Sequence, residues 1–452
     1  MEKNIQTQHE QAIALLNEKH LRELRELLCE MEPADIALFM SEVPEEDMPL
    51  IFRLLPKELA AEVFVEMDSD EEQLLIHSFN DIELRSILDE LFADDTADII
   101  EEMPANVVSR MLKNIAPDRR NQINELLRYP EDSAGSVMTV EYIDLRESMT
   151  VEDAFKRIRR TGLNRETVYT CYVTDKNRHL IGLITALTLM ISGEDSLIGD
   201  IMETNVISVE TTDEKTFVAT QIKKYDLLAL PVVDRETRLV GIVTVDDAID
   251  VLSQAVEEDI QKMSAVTPLE DSYFKTSVLT HAKNRILWLL LLMFSATFSG
   301  IIITRYEDAF EVIPVLVAFL PMLMGTGGNC GSQASTMIIR GLALNEIRLS
   351  DFPRALFKEF RVGILIGISL GILNFIRVII QYRDVKLGIV LGLTVCCVSI
   401  VAKCLGCILP MLVKTVKLDP AIMASPLIAT ILDCFTIFVY FNIALVVLGL
   451  TI

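Results

Sequence analysis

The sequence predicts an α-helical membrane protein with five transmembrane helices, preceded by an all-α N-terminal superhelical domain and an α/β domain built from a duplicated unit. Three observations predict it. Residues 1–130 contain no glycine and repeat apolar residues at spacings of three and four, the period of a helix. A Val-, Ile- and Thr-rich segment within residues 131–252 occurs twice. From residue 276 onward five apolar stretches follow one another, and about 20 such residues cross a bilayer.

Charge divides the chain at the same place. The net charge is -25, yet residues 276–452 hold 14 basic and 9 acidic residues, and residues 1–275 hold 27 basic and 57 acidic. The front is therefore strongly acidic. That sign attracts cations and repels nucleic acid and anionic lipid surfaces, so no nucleic-acid partner is expected. The eight cysteines suggest no disulfide framework; six lie in the apolar half, and Cys404-x-x-Cys407 falls inside an apolar helix, where packing thiols are expected. Residues 1–19 are polar and lack an apolar leader, so the acidic half is expected in the cytosol.

In the helical domain, residues 1–130, loose repeats begin at Pro33, Pro56 and Asp94 and end in acid-hydrophobe-Pro or acid-hydrophobe-Asp breaks at Glu42-Val-Pro44, Glu66-Met-Asp68 and Glu102-Met-Pro104. Short helices stacked as a solenoid read this way. In residues 131–252, His179-Leu-Ile-Gly-Leu-Ile-Thr185 matches Arg238-Leu-Val-Gly-Ile-Val-Thr244, and Val137-Met138 matches Ile201-Met202. A β-α-β-β-α unit used twice resembles a tandem pair of CBS domains. Such pairs often hold adenine nucleotides, and the resemblance implies an ATP contact at Gly241, Thr244 and Asp247. The first copy has Gly182 and Thr185 but Thr188 in place of the acid. A linking helix, residues 246–275, is expected to join this domain to the membrane bundle, residues 276–452.

The five spans read as Ile286–Thr304, Val312–Ile339, Val362–Tyr382, Leu387–Val413 and Pro420–Leu450. Basic residues collect before span one, between spans two and three, and before span five, which places these ends and the N-terminus on the cytosolic side and the C-terminus outside. The loop after span one is acidic (Glu307, Asp308, Glu311), and Arg383 with Lys386 breaks the rule.

Inside the membrane, Asp433 is the sharpest signal, 13 residues into the last span and near mid-membrane by that count. A carboxylate there costs a few kcal/mol and marks a cation, a partner or a wet cavity. Lys403 is free by sequence to snorkel, to pair with Asp433 or to face a pore. Span two carries Gly325-Thr-Gly-Gly-Asn329-Cys-Gly-Ser-Gln333. Its glycines weaken a helix, and Asn329 and Gln333 share a face, which points to irregular backbone beside a wet pathway.

This stretch, together with Asp419-Pro-Ala421, Ser425-Pro426, Ala429-Thr430 and Asp433, resembles the pore signature of the MgtE magnesium channel family. The resemblance covers nearly the whole chain. It implies a homodimer in the plasma membrane, embedded in lipid, with a pore on the two-fold axis. There Asp433 holds hydrated Mg2+, assisted by backbone carbonyls at Ser425 and Ala429, with Asn329 lining the path. It also implies closure by intracellular Mg2+ bridging acids of the cytosolic half: Glu62, Asp94, Asp98, Asp226, Asp247, Asp250, Glu257, Glu258 and Asp259, with Asp419 at the membrane mouth. Ser425 stands where some members have Asn, and Thr216 and Ala255 stand where some have acids. The alternative is a secondary transporter that exchanges a divalent cation for Na+ or H+, whose mark would be a chain of intramembrane carboxylates. An enzyme is not expected: the membrane half has His281 as its one histidine and no Ser-His-Asp set.

Overall fold

Proline and acid spacing set where the first helices stop. A residue before proline is driven out of the helical region, and Val43 and Met103, each preceding a proline, take extended backbone at the ends of the helices Pro33–Glu42 and Ala93–Glu102. These two are the third and eighth of ten helices, α1–α10, that run from Glu2 to Leu126 among the described residues. The computed structural model describes residues 2–162, 165–269, 273, 276–306, 314–344, 346–423 and 425–449. The chain divides into two compact units, Met1–Ser253 and Gln254–Ile452.

In the first unit the ten helices bury one face each into a common core. Phe52, Phe64 and Phe79 meet at its centre with ring centroids 5.3 to 6.4 Å apart. The same core continues into the second copy of the duplicated domain through Val218, Leu230, Val232 and Ala248.

The duplication folds as two three-stranded sheets of identical plan. The first comprises β1 Asp144–Arg146, α11 Val151–Thr161, β2 Thr170–Thr174, β3 Leu180–Thr185 and α12 Ala186–Ile191, followed by the short α13 Ile198–Ile201. The second comprises β4 Val209–Glu210, α14 Lys215–Tyr225, β5 Ala229–Val233, β6 Leu239–Thr244 and α15 Val245–Met263. In each, the outer pair is parallel and the second pair antiparallel. The two copies exchange their leading segments. Met138, which precedes the first copy, covers Gly241 of the second, and Met202, which precedes the second, covers Gly182 of the first. A Cβ on either glycine would sit 2.6 Å from the methionine sulfur. The repeated glycine and the repeated methionine are thus one contact used twice.

Helix α15 ends at Met263, short of the expected 275. Ala265 takes a left-handed φ of 55°. Its N–H bonds to the Lys262 carbonyl, and that of Val266 to the Gln261 carbonyl, both at 3.0 Å. This closing pattern satisfies the last carbonyls and turns the chain out of the helix. Residues 270–272, 274 and 275 of the expected linker lie outside the described residues, as does the acidic stretch Glu307, Asp308 and Glu311.

In the second unit, five helices among the described residues are long and apolar enough to cross a bilayer. They are α16 Val278–Thr304, a helix that runs on from the short α17 Val315–Ala318 as α18 Leu320–Ala343, α19 Phe352–Tyr382, α20 Val385–Thr415 and α21 Ser425–Leu448. Span three therefore starts ten residues before the expected Val362. The Arg354–Arg361 stretch, read as a loop, is helix, because its charges fall at a helix end where they reach water. Gly363, Gly367 and Gly371 recur every four residues on α19 and let it press onto α20 at Ile400, Cys396 and Gly392. Close backbone approach of this kind joins helices where lipid removes the hydrophobic drive.

Candidate cation pathway

The glycine-rich stretch of span two stays α-helical throughout, contrary to the irregular backbone expected from its composition. Gly327, Gly328 and Gly331 face neighbouring helices, whereas Gly325 is open. A Cβ on Gly331 would lie 2.2 Å from Leu432 and 2.9 Å from Ile428, and one on Gly327 would meet Thr436 at 2.8 Å and Val398 at 2.9 Å. The Gly331 carbonyl also occupies the space a side chain at Gly406 of α20 would need. Helical packing repairs what glycine loses in propensity. Asn329, Gln333 and, beyond the stretch, Thr336 are exposed on one stripe of α18.

Ala429 sits at this crossing, 3.4 Å from the position of a Cβ on Gly328. Asp433 follows one turn later on α21 and is half-buried. Among the described residues its carboxylate has no hydrogen bond or ion pair. The helix begins at Ser425, so Asp433 lies eight residues in, roughly 12 Å by helical rise. That places it nearer one membrane face than the count from Pro420 suggested. Only the backbone of Ser425 is described, as the first residue of α21.

Lys403 does not pair with Asp433. It is 4 % exposed, and its Nζ donates to Gln333 Oε1 at 3.1 Å. Lys403, Gln333, Asn329, Ser332 and Thr336 line an open cavity of about 690 Å3 together with Glu359 and Val362 of α19. Sequence reasoning missed Glu359 because span three was started after it; extending the helix back over Arg354–Arg361 would have placed it inside.

The regulatory acids fall into three sets. Asp94, Asp98 and Asp247 come together in the first unit, joined by Asp95, Glu141, Glu166 and Asp246. Thr139 Oγ1 lies 3.1 Å from Asp94 Oδ1 and 3.0 Å from Glu141 Oε2, its one hydroxyl proton shared between them, which ties the helical domain to the duplicated one. Burial, then the neighbouring carboxylates, holds Asp94 well above the usual carboxylate range. Asp98 keeps solvent contact, yet surrounding protein strips its hydration and Asp247 repels it, which pushes it up to about 7. Glu166 is likewise pushed to about 7 and Asp247 to about 6, again chiefly by burial. The sequence signal for Asp95 was its place beside Asp94; Glu141 and Glu166 carried none. The buried Glu72, pushed up to about 8 by burial and by Glu102, was also missed.

The second set lies in the membrane unit. Glu258 and Asp419 do meet, but around an ammonium: Lys262 Nζ stands 3.0 Å from Glu258 Oε2 and 3.2 Å from Asp419 Oδ2. Burial opposes the charge on Lys262, and the hydrogen bonds to Glu258 and Asp419 outweigh it and raise its pKa. Asp259 is raised by burial and then by Asp419. Glu62, Asp226, Asp250 and Glu257 form the third set and are simply exposed. Among the described residues no three His, Cys, Asp or Glu side chains converge as direct metal ligands. Carboxylates this crowded and under-neutralised suit a hydrated cation held through its water shell.

At the expected nucleotide contact, Gly241 is covered by Met138, and Thr244 is 4 % exposed with its Oγ1 donating to Asp247 Oδ2 at 2.6 Å. In the first copy Thr185 Oγ1 instead accepts from the Thr188 N–H at 3.1 Å.

An acidic helical domain, a CBS pair and a five-span bundle holding a carboxylate without a partner among the described residues define a multi-pass membrane protein of the divalent cation transporter class. Family models agree in order along the chain: an MgtE intracellular N domain over residues 31–132, CBS domains over 134–192 and 198–254, and a divalent cation transporter over 320–443. The chain belongs to the MgtE family. It is 35 % identical over 433 residues to the magnesium transporter MgtE of Thermus thermophilus, covering 95 % of this chain and 96 % of that one. It is 32 % identical over 432 residues to the Bacillus subtilis MgtE, covering 96 % and 95 %. Both relatives are transporters and not enzymes. Among solved structures, the soluble part of a magnesium transporter matches at TM-score 0.52 and 29 % identity, over 56 % of this chain and 99 % of that one. The cytosolic domain of the Mg2+ channel MgtE in complex with ATP matches at 0.51 and 38 %, over 53 % and 99 %.

Proposed function

We propose that this chain carries Mg2+ through a dimeric pore in the plasma membrane, down the electrochemical gradient, and that intracellular Mg2+ closes it through the acidic cytosolic half. The observation that carries this reading is Asp433: a half-buried carboxylate on a membrane helix, without a partner among the described residues. Lipid cannot solvate it, so a hydrated cation and a wet path do. The stripe of Asn329, Gln333 and Thr336 supports the dimer, since a polar face at that depth needs water or a second copy against it. Mg2+ surrenders its waters reluctantly and is best held by oxygen groups through its shell. An inside-negative potential supplies about 4.6 kcal/mol per 100 mV to a divalent ion, so no other energy source is required.

The basic ends of α18, α19 and α20 face the cytosol in this reading, with the N-terminus inside and the C-terminus outside. ATP binds the CBS pair, on the strength of the 38 % identical cytosolic domain described in complex with ATP. Domain limits follow: residues 1–130 and 131–252 sense, the helix after Asp246 links, and residues 276–452 conduct.

The exchanger reading gains one observation, Glu359, a second carboxylate within a span. One experiment separates the two. Purified protein in liposomes loaded with a Mg2+-sensitive dye is given a potassium-diffusion potential, with no Na+ or H+ gradient. A conducting pore gives rapid Mg2+ entry that scales with the potential. Entry only when a Na+ or H+ gradient is imposed would establish exchange instead.

A further inference from the structure

The cavity between α18, α19 and α20 contains a charge pair that the pore signature does not use. Thr336 lies seven residues before the end of α18, Glu359 seven after the start of α19, and Lys403 twelve before the end of α20. All three ends are the basic ends of the bundle, so the cavity floor sits roughly 10 to 18 Å inside that face. Asn329 forms its inner limit and is shared with the expected pore. The walls offer amide, hydroxyl and carboxylate oxygens, and one ammonium. That ammonium is held away from solvent by its bond to Gln333, while Glu359 has no hydrogen bond or ion pair among the described residues.

We propose that this cavity is a charge-balanced vestibule of the cation pathway, entered past Asn329, in which Glu359 receives the hydrated divalent cation and Lys403 is a tethered cation that keeps the ion from being trapped. The inference rests on the Mg2+-conducting reading above. Size permits it: six waters at roughly 30 Å3 each need roughly 180 Å3, against a cavity of about 690 Å3. Electrostatics explains why both charges are present. A lone carboxylate half-buried in the wall would hold a divalent ion more strongly than one in water. Conduction needs sites that fill easily and empty easily. A fixed positive charge on the wall of the same cavity lowers that hold, and tying the ammonium to Gln333 keeps it off the carboxylate. An anion is disfavoured because Glu359 faces the same space and the remaining walls are neutral.

The test uses the full chain in liposomes, with initial Mg2+ entry measured against external Mg2+ for the parent, Lys403→Met, Glu359→Gln and the double variant. Lys403→Met should lower the half-saturating Mg2+ and the maximal rate, each by about five-fold or more, because an unbalanced carboxylate traps the ion. Glu359→Gln should raise half-saturation several-fold. The double variant should return both values to within about two-fold of the parent, since the two charges act on one site. A purely structural lysine would not be rescued by deleting a carboxylate that it does not bond. The proposal is overturned if Lys403→Met conducts like the parent or if Glu359→Gln fails to rescue it. Should Lys403→Met not yield monodisperse protein, Glu359→Gln decides alone, and an unchanged half-saturation defeats the proposal. Failure of the underlying reading is distinct: the parent itself would show no potential-driven Mg2+ entry, and the vestibule would fall with it.

Discussion

Asp94 and Asp433 are both partly accessible carboxylates of this chain, in opposite surroundings. Asp94 belongs to the first unit and is raised by burial and then by Asp95, Asp247, Glu141 and Glu166. Asp433 has no acidic companion and no hydrogen-bond partner among the described residues. Water solvates single carboxylates cheaply, so a cation site in the first unit would have to be built by crowding many. Hydrocarbon solvates none, so in the membrane one is enough. The difference also divides the labour: a crowded set responds in steps and suits regulation, whereas a single group suits passage.

That contrast is broken most directly by single substitutions in each unit. Asp433→Asn is expected to reduce Mg2+ entry into liposomes to the level of empty vesicles. Asp98→Asn is expected to leave entry at low Mg2+ within about two-fold of the parent, because distant sites act independently. Equal damage from both would mean that the crowded acids also lie on the transport route.

A smaller effect should come from the backbone contacts that position each site. Gly406→Val drives a side chain onto the Gly331 carbonyl oxygen, 2.4 Å from the ideal Cβ, and onto Ala334. Backbone cannot yield as a flexible side chain can, so the cost should reach the upper part of the ~1–3 kcal/mol range for overpacking. Gly182→Ala meets chiefly the movable end of Met202 and should cost less. Thermal unfolding in detergent should therefore fall by several degrees for Gly406→Val and by less for Gly182→Ala. The reverse order would show that the membrane bundle tolerates separation of α18 from α20.

The smallest effect expected is a pH dependence confined to the first unit. Asp98 and Glu166 titrate at about 7 and Asp247 at about 6 in the folded chain, against about 4 when unfolded. The folded state therefore binds more protons in that window. Stability is fullest below about pH 4 as far as these groups are concerned, and is lost as pH rises through 6 to 7. Without divalent cations the unfolding temperature should fall between pH 5 and pH 8, and millimolar Mg2+ should remove most of the fall by neutralising the ionised carboxylates. A rise with pH in Mg2+-free buffer would show that these acids are not crowded in solution.

Much of the fold was legible because its signals are local. Proline after an acid and a hydrophobe marked the ends at Glu42 and Glu102, since the clash that ends the helix involves adjacent residues. The duplicated Gly-x-x-Thr strands announced two equal sheets. The glycines of span two were misread for the same reason: propensity is local, but their use, letting Gly331 meet Ile428, Leu432 and Gly406, lies on other helices. Within the site, Asp433 and Asn329 were visible as polar residues in apolar runs, whereas Glu359 was hidden by its place at the edge of one.

The sequence by itself determined the five spans, the acidic front and the order of domains, because hydropathy, charge and period are properties of neighbours along the chain. Only the tertiary structure decided that Met138 covers the glycine of the other repeat, that Lys262 stands between Glu258 and Asp419, and that Lys403 bonds to Gln333 and not to Asp433. Charges act over a few ångströms of space, and residues 70 or more positions apart come within that reach only when helices have packed.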